Sequence, residues 1–156
     1  MSDSSSEFSE YPALHLDNQL CFSLYRLSRM VTQKYTPLLK PLDITYPQYL
    51  VLLVLWQNLE QGFSAMSVSQ LTTALQLDTG TVTPLLKRME SKGILSRQRD
   101  SADERIVLVS LCKKGRDLRE QAKSIPQQLL CKADLQVDQL SEIKGQLQFL
   151  LTQINS

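Results

Sequence analysis

The amino-acid sequence predicts a mainly helical protein with one small β-hairpin, and three observations predict it. Apolar residues recur every three or four positions along most of the chain, which is the period of a helix face. Only two short segments, Leu95 to Arg99 and Ile106 to Leu111, have the pattern of strands, and the polar residues 100–105 join them. The chain has 156 residues, of which 42% are hydrophobic and 21% charged, which is typical of one globular domain.

Composition excludes several other classes of protein. Three cysteines are too few for a disulfide scaffold. The longest apolar run, Tyr49 to Trp56, is too short to cross a bilayer, so we expect no membrane association. The N-terminus is acidic and Ser-rich, unlike a signal peptide. We therefore expect a cytoplasmic protein whose thiols are reduced.

The first half of the chain predicts a tail and two helices. Residues 1–12 are predicted to be a disordered tail, and residues 13–156 a single domain. A helix is expected from about Leu14 to Leu39, ended by Pro41. A second helix begins at Tyr46-Pro47 and runs to about Glu60. Because this second helix is apolar nearly all round, we expect it at the centre of the core.

The middle of the chain predicts two short helices with strong start signals. Ser67 and Gln70 have the spacing of a capping box and begin a helix that runs to Leu75. Asp78 is a good N-cap for the next helix, which runs to about Lys92 and is closed by Gly93. With the hairpin that follows, this order of elements is typical of a winged helix-turn-helix, here expected over about residues 44–111.

The last third predicts two long helices. One runs from Lys113 to about Lys132 with a kink at Pro126, and the other from Asp138 to Ile154. Apolar residues of the final helix step by three or four and form a seam for a partner helix. We expect residues of about 14–39 and 113–154 to form dimerisation helices.

A local excess of positive charge coincides with the predicted winged segment. Between Thr79 and Arg99 there are five basic residues and one acidic residue, whereas the whole chain carries only +1. A basic stripe is what binding to the phosphates of double-stranded DNA requires. The alternative is that the threonines are ordinary first-turn residues and the arginines are merely solvated. The predicted DNA-binding residues are Ser67, Thr79, Thr81, Thr83, Lys87, Arg88, Arg97, Arg99 and Arg105.

The run LTTALQLDTGTVTPLLKRMESKGIL at residues 71–95, followed by RDSADERIVLVSL, resembles the MarR family of bacterial transcription regulators. Asp100, Asp103 and Arg105 match that family's wing pattern, in which we expect the two aspartates to support the wing. The resemblance implies a homodimer that binds a palindromic operator. One departure is Cys112, which stands where the family usually has a capping threonine and is a poor cap.

Cys21, Tyr35 and Tyr46 have a spacing that resembles the organic-hydroperoxide-sensing branch of the same family. The resemblance implies that both phenols of one subunit hydrogen-bond the Cys21 thiolate of the other and stabilise its charge. It also implies that an organic hydroperoxide, the inducer, oxidises Cys21. Cys131 of the other subunit then forms a disulfide with the oxidised Cys21. Cys112 has no role that the resemblance supplies.

Three other interpretations of these residues remain open. In the first interpretation, Cys21 and Cys131 are inert buried thiols. In the second, the protein is a MarR-type repressor released by a small phenolic or carboxylate ligand. The third is a thiol peroxidase, for which a basic recognition helix has no use. No catalytic motif or metal-ligand spacing is recognisable, so we expect no enzyme activity, no metal and no cofactor.

Overall fold

The computed structural model describes residues 11–133 and 136–154. Seven α-helices and three strands follow one another in those residues, with single 3₁₀ turns at Pro12–Leu14, Leu16–Asn18 and Lys40–Leu42. The elements are α1 (Leu20–Leu39), α2 (Tyr46–Glu60), β1 (Ala65–Ser67), α3 (Val68–Leu75), α4 (Thr79–Ser91), β2 (Leu95–Arg99), β3 (Val107–Leu111), α5 (Lys113–Ala122), α6 (Ile125–Ala133) and α7 (Val137–Ile154).

Helix α2 is the centre of the core, as its all-round apolar pattern predicts. The backbone N–H of Thr45 donates to the side-chain oxygen of Gln48, 3.0 Å away, which fixes the start of the helix. At the other end, the indole N–H of Trp56 donates to the carbonyl oxygen of Gly115 in α5, 2.9 Å away. Five of its apolar side chains are buried: Tyr49, Val51, Leu52, Leu55 and Trp56.

The middle of the chain forms a winged helix-turn-helix, which confirms the predicted fold class. Helices α3 and α4 are joined by a turn in which Gln76 adopts a left-handed conformation (φ 51°). Strands β2 and β3 pair antiparallel, from Leu95 opposite Leu111 to Arg99 opposite Val107. A third strand that the sequence did not predict, β1, pairs with the other edge of β3. Three residues are too short to show an alternating pattern, so this strand has no clear signal in the sequence.

The terminal helices differ from the prediction in two places. Helix α1 begins at Leu20 rather than Leu14, because Gln19 is extended (φ −91°, ψ 109°) and interrupts the helical path. The expected kink at Pro126 is a complete break, since α5 ends at Ala122 and α6 begins at Ile125. Proline at the second position of a helix needs no N–H partner there, so Pro126 favours a new helix start over a bend. Residues 1–10 of the predicted tail lie outside the described residues.

Helices α1 and α7 present apolar side chains to solvent in the single chain. No residue of α7 is buried, although its apolar seam matches the prediction. Among the large exposed side chains on these helices are Leu20, Leu27, Met30, Ile143, Leu147, Phe149, Leu151 and Ile154. Large apolar side chains exposed in this number on two helices are typical of a contact with another protein chain.

Within the part of the chain that the structure describes, no single helix is long and apolar enough to cross a membrane. The bent pair formed by Leu20–Leu42 and Tyr46–Glu60, with 73° between its two segments, reaches that length and composition only when taken together.

Candidate nucleic-acid interface and cysteine site

The first turn of α4 is fixed by Asp78. Its carboxylate accepts hydrogen bonds from the backbone N–H of Thr81 at 2.8 Å and from the Thr81 hydroxyl at 2.6 Å. The Thr81 hydroxyl and N–H lower the pKa of the Asp78 carboxyl, so the cap is anionic at neutral pH. A Cβ at Gly80 would lie 2.9 Å from this carboxylate, so glycine leaves room for the cap. Because the Thr81 hydroxyl already donates to Asp78, it is free only to accept.

A cleft of about 630 Å³ separates α4 from the wing, the β2–β3 hairpin. Its walls come from the start of α3, the exposed face of α4 and both strands of the hairpin. Five of the predicted DNA-binding residues line it: Ser67, Thr79, Thr83, Arg97 and Arg105. The cleft therefore combines hydroxyl groups with two guanidinium groups, which is chemistry suited to a sugar–phosphate backbone.

The tip of the wing is ordered by its own charged residues. Asp103 accepts from the backbone N–H and from both the Nε and Nη2 of Arg105, at 2.9 to 3.0 Å. These donors lower the pKa of the Asp103 carboxyl. Asp100 accepts from the backbone N–H of Ala102 at 3.1 Å, and Arg99 donates to the carbonyl of Glu104 at 2.9 Å. The Arg105 side chain stays 91% exposed, so it is presented to solvent while Asp103 fixes its direction.

Arg97 lies in the cleft but its guanidinium is already paired. It donates from Nε and Nη2 to Glu90 of α4, and its backbone N–H donates to the same carboxylate, at 2.7 to 3.0 Å. The donors lower the pKa of the Glu90 carboxyl. The ion pair between Arg97 and Glu90 connects the C-terminal end of α4 to the first residues of β2. In the sequence Glu90 is only the one acidic residue between Thr79 and Arg99, and no pattern there predicts this structural role.

Lys87 and Arg88 are exposed on α4, on the turns after the capped N-terminus. We predict that Lys87→Met lowers the slope of log affinity for DNA against log salt concentration by about one unit, since one phosphate contact contributes about that much. The measurement is fluorescence anisotropy across a salt series. We expect a smaller change for Arg97→Met, because that charge is shared with Glu90. An unchanged slope for Lys87→Met would remove Lys87 from the interface.

Tyr35 and Tyr46 lie against each other, with ring centroids 4.7 Å apart. Tyr49 packs on Tyr35 at 5.8 Å, so three phenols form one cluster between α1 and α2. Burial raises the pKa of all three hydroxyls, and the charges of neighbouring phenols raise those of Tyr35 and Tyr49 further. They therefore keep their protons, and so remain hydrogen-bond donors, across the neutral range. Tyr49 was missed, although it lies three positions after Tyr46 and so on the same helix face.

Cys21 does not reach these phenols within its own chain. Residues 21 and 35 lie on one uninterrupted helix, and 14 residues at about 1.5 Å each separate them by about 21 Å. In the single chain Cys21 and Cys131 are both exposed. Cys131 lies on α6, which packs against α1. Cys112 is half-buried at the start of α5 and its side chain makes no cap hydrogen bond, as its poor capping ability predicts.

Comparison with known proteins matches this architecture to a family. A family model described as transcriptional regulator SarA/Rot matches residues 33–122. The organic hydroperoxide resistance transcriptional regulator of Bacillus subtilis (strain 168) is 44% identical over 142 residues, which covers 91% of this chain and 93% of that protein. The chain belongs to the MarR/SarA family of transcriptional regulators.

Solved structures within this family have the same fold. Reduced AbfR bound to DNA superposes with a TM-score of 0.73 at 33% identity, over 90% of this chain and 95% of that one. Disulfide-formed AbfR superposes with a TM-score of 0.64 at 33% identity, over 90% and 93% of the two chains. As a member of the MarR/SarA family, the protein is a transcriptional regulator and not an enzyme.

Proposed function

We propose that this protein is a redox-sensing transcriptional repressor of the cytoplasm, a homodimer that binds a palindromic operator when Cys21 is reduced. Organic hydroperoxide oxidises Cys21, which is then linked to Cys131 of the partner subunit, and the operator is released. The observation that carries the proposal is the pair of protonated phenols, Tyr35 and Tyr46, whose ring centroids are 4.7 Å apart, with Tyr35 about 21 Å along α1 from Cys21.

A second copy of the chain would bring the thiol to the phenols. The exposed apolar side chains of α1 and α7 favour a partner chain, and packing of two α1 helices about a two-fold axis perpendicular to them would place the start of one helix beside the end of its copy. Cys21 of one subunit would then meet Tyr35 and Tyr46 of the other. Two phenolic donors stabilise the negative charge on sulfur and so increase the reactive thiolate fraction.

The operator contacts come from the cleft and the exposed side of α4. In a winged helix-turn-helix the second helix enters the major groove, and here that helix presents Thr79, Thr83 and Lys87. Arg105 on the wing is suited to the adjacent minor groove. Two such heads, about 34 Å apart on one face of DNA, read the two halves of a palindrome. The relation to a hydroperoxide-resistance regulator and to AbfR in its DNA-bound and disulfide forms supports this assignment.

The proposed chemistry has two balanced steps. The Cys21 thiolate attacks the terminal OH oxygen of the hydroperoxide, the O–O bond breaks, and the departing alkoxide takes up a proton and leaves as an alcohol. Cys21 is then a sulfenic acid. The thiol of Cys131 of the partner subunit attacks that sulfur, which forms the S–S bond and releases water. A disulfide requires Cα atoms within about 7 Å, so any greater starting separation must be closed by movement of α1 or α6.

We predict that Cys21→Ser remains on its operator in the presence of cumene hydroperoxide, whereas the wild-type protein is released. The probe is the duplex that reduced wild-type protein enriches from a random library. Release requires about 5 kcal/mol of differential affinity, so the difference is easily seen by anisotropy. Release of Cys21→Ser by the peroxide would refute the sensing role of Cys21.

Cys131→Ser separates the two steps. On non-reducing gels after peroxide treatment, we expect a covalent dimer from the wild-type protein and none from Cys131→Ser. Cys112→Ser, at the third cysteine, is the matched control and should still form the covalent dimer. A covalent dimer that persists in Cys131→Ser and is lost in Cys112→Ser would reassign the resolving thiol.

A second candidate function rests on a cleft of about 400 Å³ between the C-terminal half of α1 and the start of α2. Threonine hydroxyls and the Tyr46 phenol line it, which suits a small phenolic or carboxylate ligand, while the Lys92 ammonium in the cleft is already paired with Asp43. In that case salicylate, used as a probe, would release Cys21→Ser and wild-type protein equally.

A further inference from the structure

The C-terminal end of α4 is fastened to the corner between α1 and α2. Lys92, the residue that follows α4, donates from Nζ to the carbonyl oxygen of Asp43 at 2.6 Å. The same ammonium lies 3.0 Å from the Asp43 carboxylate. Asp43 adopts a left-handed conformation (φ 54°), and its N–H is held by the carbonyl of Lys40 at 3.0 Å. We call the double contact between Lys92 and Asp43 the Lys92 clamp.

The clamp also joins α5. Lys114, near the start of α5, donates from Nζ to the carbonyl oxygen of Lys92 at 3.0 Å. One residue thus contacts the α1–α2 corner through its side chain and α5 through its main chain. The end of α4 therefore cannot shift relative to either neighbour without breaking a hydrogen bond.

The corner that the clamp holds is the one that carries the phenol cluster. Asp43, Tyr46 and Lys92 line the same cleft. Tyr46 follows Asp43 by three residues and stacks on Tyr35. The proposed thiolate partners are therefore connected to the end of α4 in two steps. Tyr46 lies three residues after Asp43 along the chain, and the clamp joins Asp43 to Lys92.

We propose that Lys92 is a positioning residue, which through Asp43 holds α4 in the orientation that reads the operator and passes movement of the phenol-bearing corner to α4. The inference rests on the proposed function. Lys92 is one of the five basic residues between Thr79 and Arg99, but its side chain is only 33% exposed and its ammonium is directed to Asp43. Coupling between the phenol cluster and the operator-binding surface requires an element whose position both of them influence, and α4 with the Lys92 clamp is such an element.

A double-mutant cycle with Lys92→Met and Asp43→Asn tests this. Methionine keeps the length of the side chain, and asparagine tolerates the left-handed conformation. We expect Lys92→Met to weaken operator binding by the reduced protein about 3- to 10-fold, because coupling energies of this kind are of that order. The slope against salt should be unchanged. Asp43→Asn removes the carboxylate but keeps the main-chain acceptor, so alone it should weaken binding by less than Lys92→Met does. The double variant should bind about as well as Lys92→Met alone. The ratio of oxidised to reduced dissociation constants should fall by a similar factor.

Lys87→Met on the same helix is the control, since it should lower the salt slope while leaving that ratio unchanged. A lowered slope for Lys92→Met would make Lys92 a phosphate contact and overturn the proposal, as would unchanged affinity or additive effects in the cycle. Thermal unfolding of each variant checks that it is folded. If Lys92→Met is not folded, Asp43→Asn alone tests the ionic contact of the clamp. If wild-type protein binds the operator but is not released by peroxide, the proposed function fails while the affinity cycle still tests the positioning role.

Discussion

Gly115→Ala is expected to destabilise the protein by about 3 kcal/mol, because the first turn of α5 presses directly on the polypeptide backbone before β2. A Cβ at Gly115 would lie 2.2 Å from the carbonyl oxygen of Ile94 and 2.9 Å from the Leu111 side chain. Backbone cannot move aside as the end of a side chain can. For a protein of this size the loss corresponds to a fall in Tm of about 6 to 12 °C.

The effect extends beyond the steric clash, since two hydrogen bonds depend on the same approach. The N–H of Cys112 donates to Ile94 at 3.1 Å, and the buried indole of Trp56 donates to the carbonyl of Gly115 at 2.9 Å. Moving α5 outward leaves the indole without its acceptor, and an unsatisfied buried donor costs about 1–3 kcal/mol.

Thermal unfolding followed by circular dichroism measures this effect. Gly145→Ala is the matched control, because a Cβ there meets nothing within 4 Å and alanine is the better helix former. We expect that variant to change stability by less than about 1 kcal/mol, in the stabilising direction. Equal midpoints for Gly115→Ala and the wild-type protein would show that α5 does not depend on this close approach.

Features that depend on a few neighbouring residues could be predicted from the sequence. The Ser67–Gln70 box is formed as expected, with Ser67 N–H donating to Gln70 Oε1 at 2.8 Å and Gln70 N–H to Ser67 Oγ at 3.1 Å. Asp78 caps α4, and the hairpin lies within one residue of its predicted bounds. Each of these is decided by local hydrogen bonding or by side-chain period, which a single sequence contains.

Features that depend on distant partners could not be predicted. Strand β1 exists because the far edge of β3 offers it hydrogen bonds, and nothing in three residues signals that. Glu90 and Lys92 differ in role from neighbouring charges only because Arg97 and Asp43 lie opposite them. For the cysteine site, the resemblance to the hydroperoxide-sensing branch pointed to Tyr35 and Tyr46, whereas the separation of Cys21 from Tyr35 depends on α1 being unbroken.

Replacing Tyr35 and Tyr46 by phenylalanine is expected to slow oxidation of Cys21 by cumene hydroperoxide about 10-fold each at neutral pH, and about 100-fold together. A hydrogen bond to a charged group contributes about 1.5–3 kcal/mol, or one to two pH units in the titration of that group. Phenylalanine keeps the ring contact at 4.7 Å but removes the donor, so packing is preserved. The thiolate fraction, which sets the rate, falls accordingly.

The pH profile distinguishes loss of the donors from general damage to the site. Alkylation of Cys21 by iodoacetamide should be slowed most at neutral pH, where the thiolate depends on the two donors. The rates of all variants should converge as the pH rises toward 10. In the wild-type protein the donors survive to that limit, because burial raises the pKa of both tyrosines above the ordinary value of 10.0.

Tyr11→Phe, at an exposed phenol near the start of the described chain, is the control and should leave the profile unchanged. A Cys131→Ser background confines the measurement to the first oxidation step. Rates that stay low at every pH would mean that the phenols shape access to the thiol, while unchanged rates at neutral pH would show that the Cys21 thiolate does not depend on them. Only slower reaction at neutral pH together with equal rates at high pH fits two donors reaching the sulfur of the partner subunit.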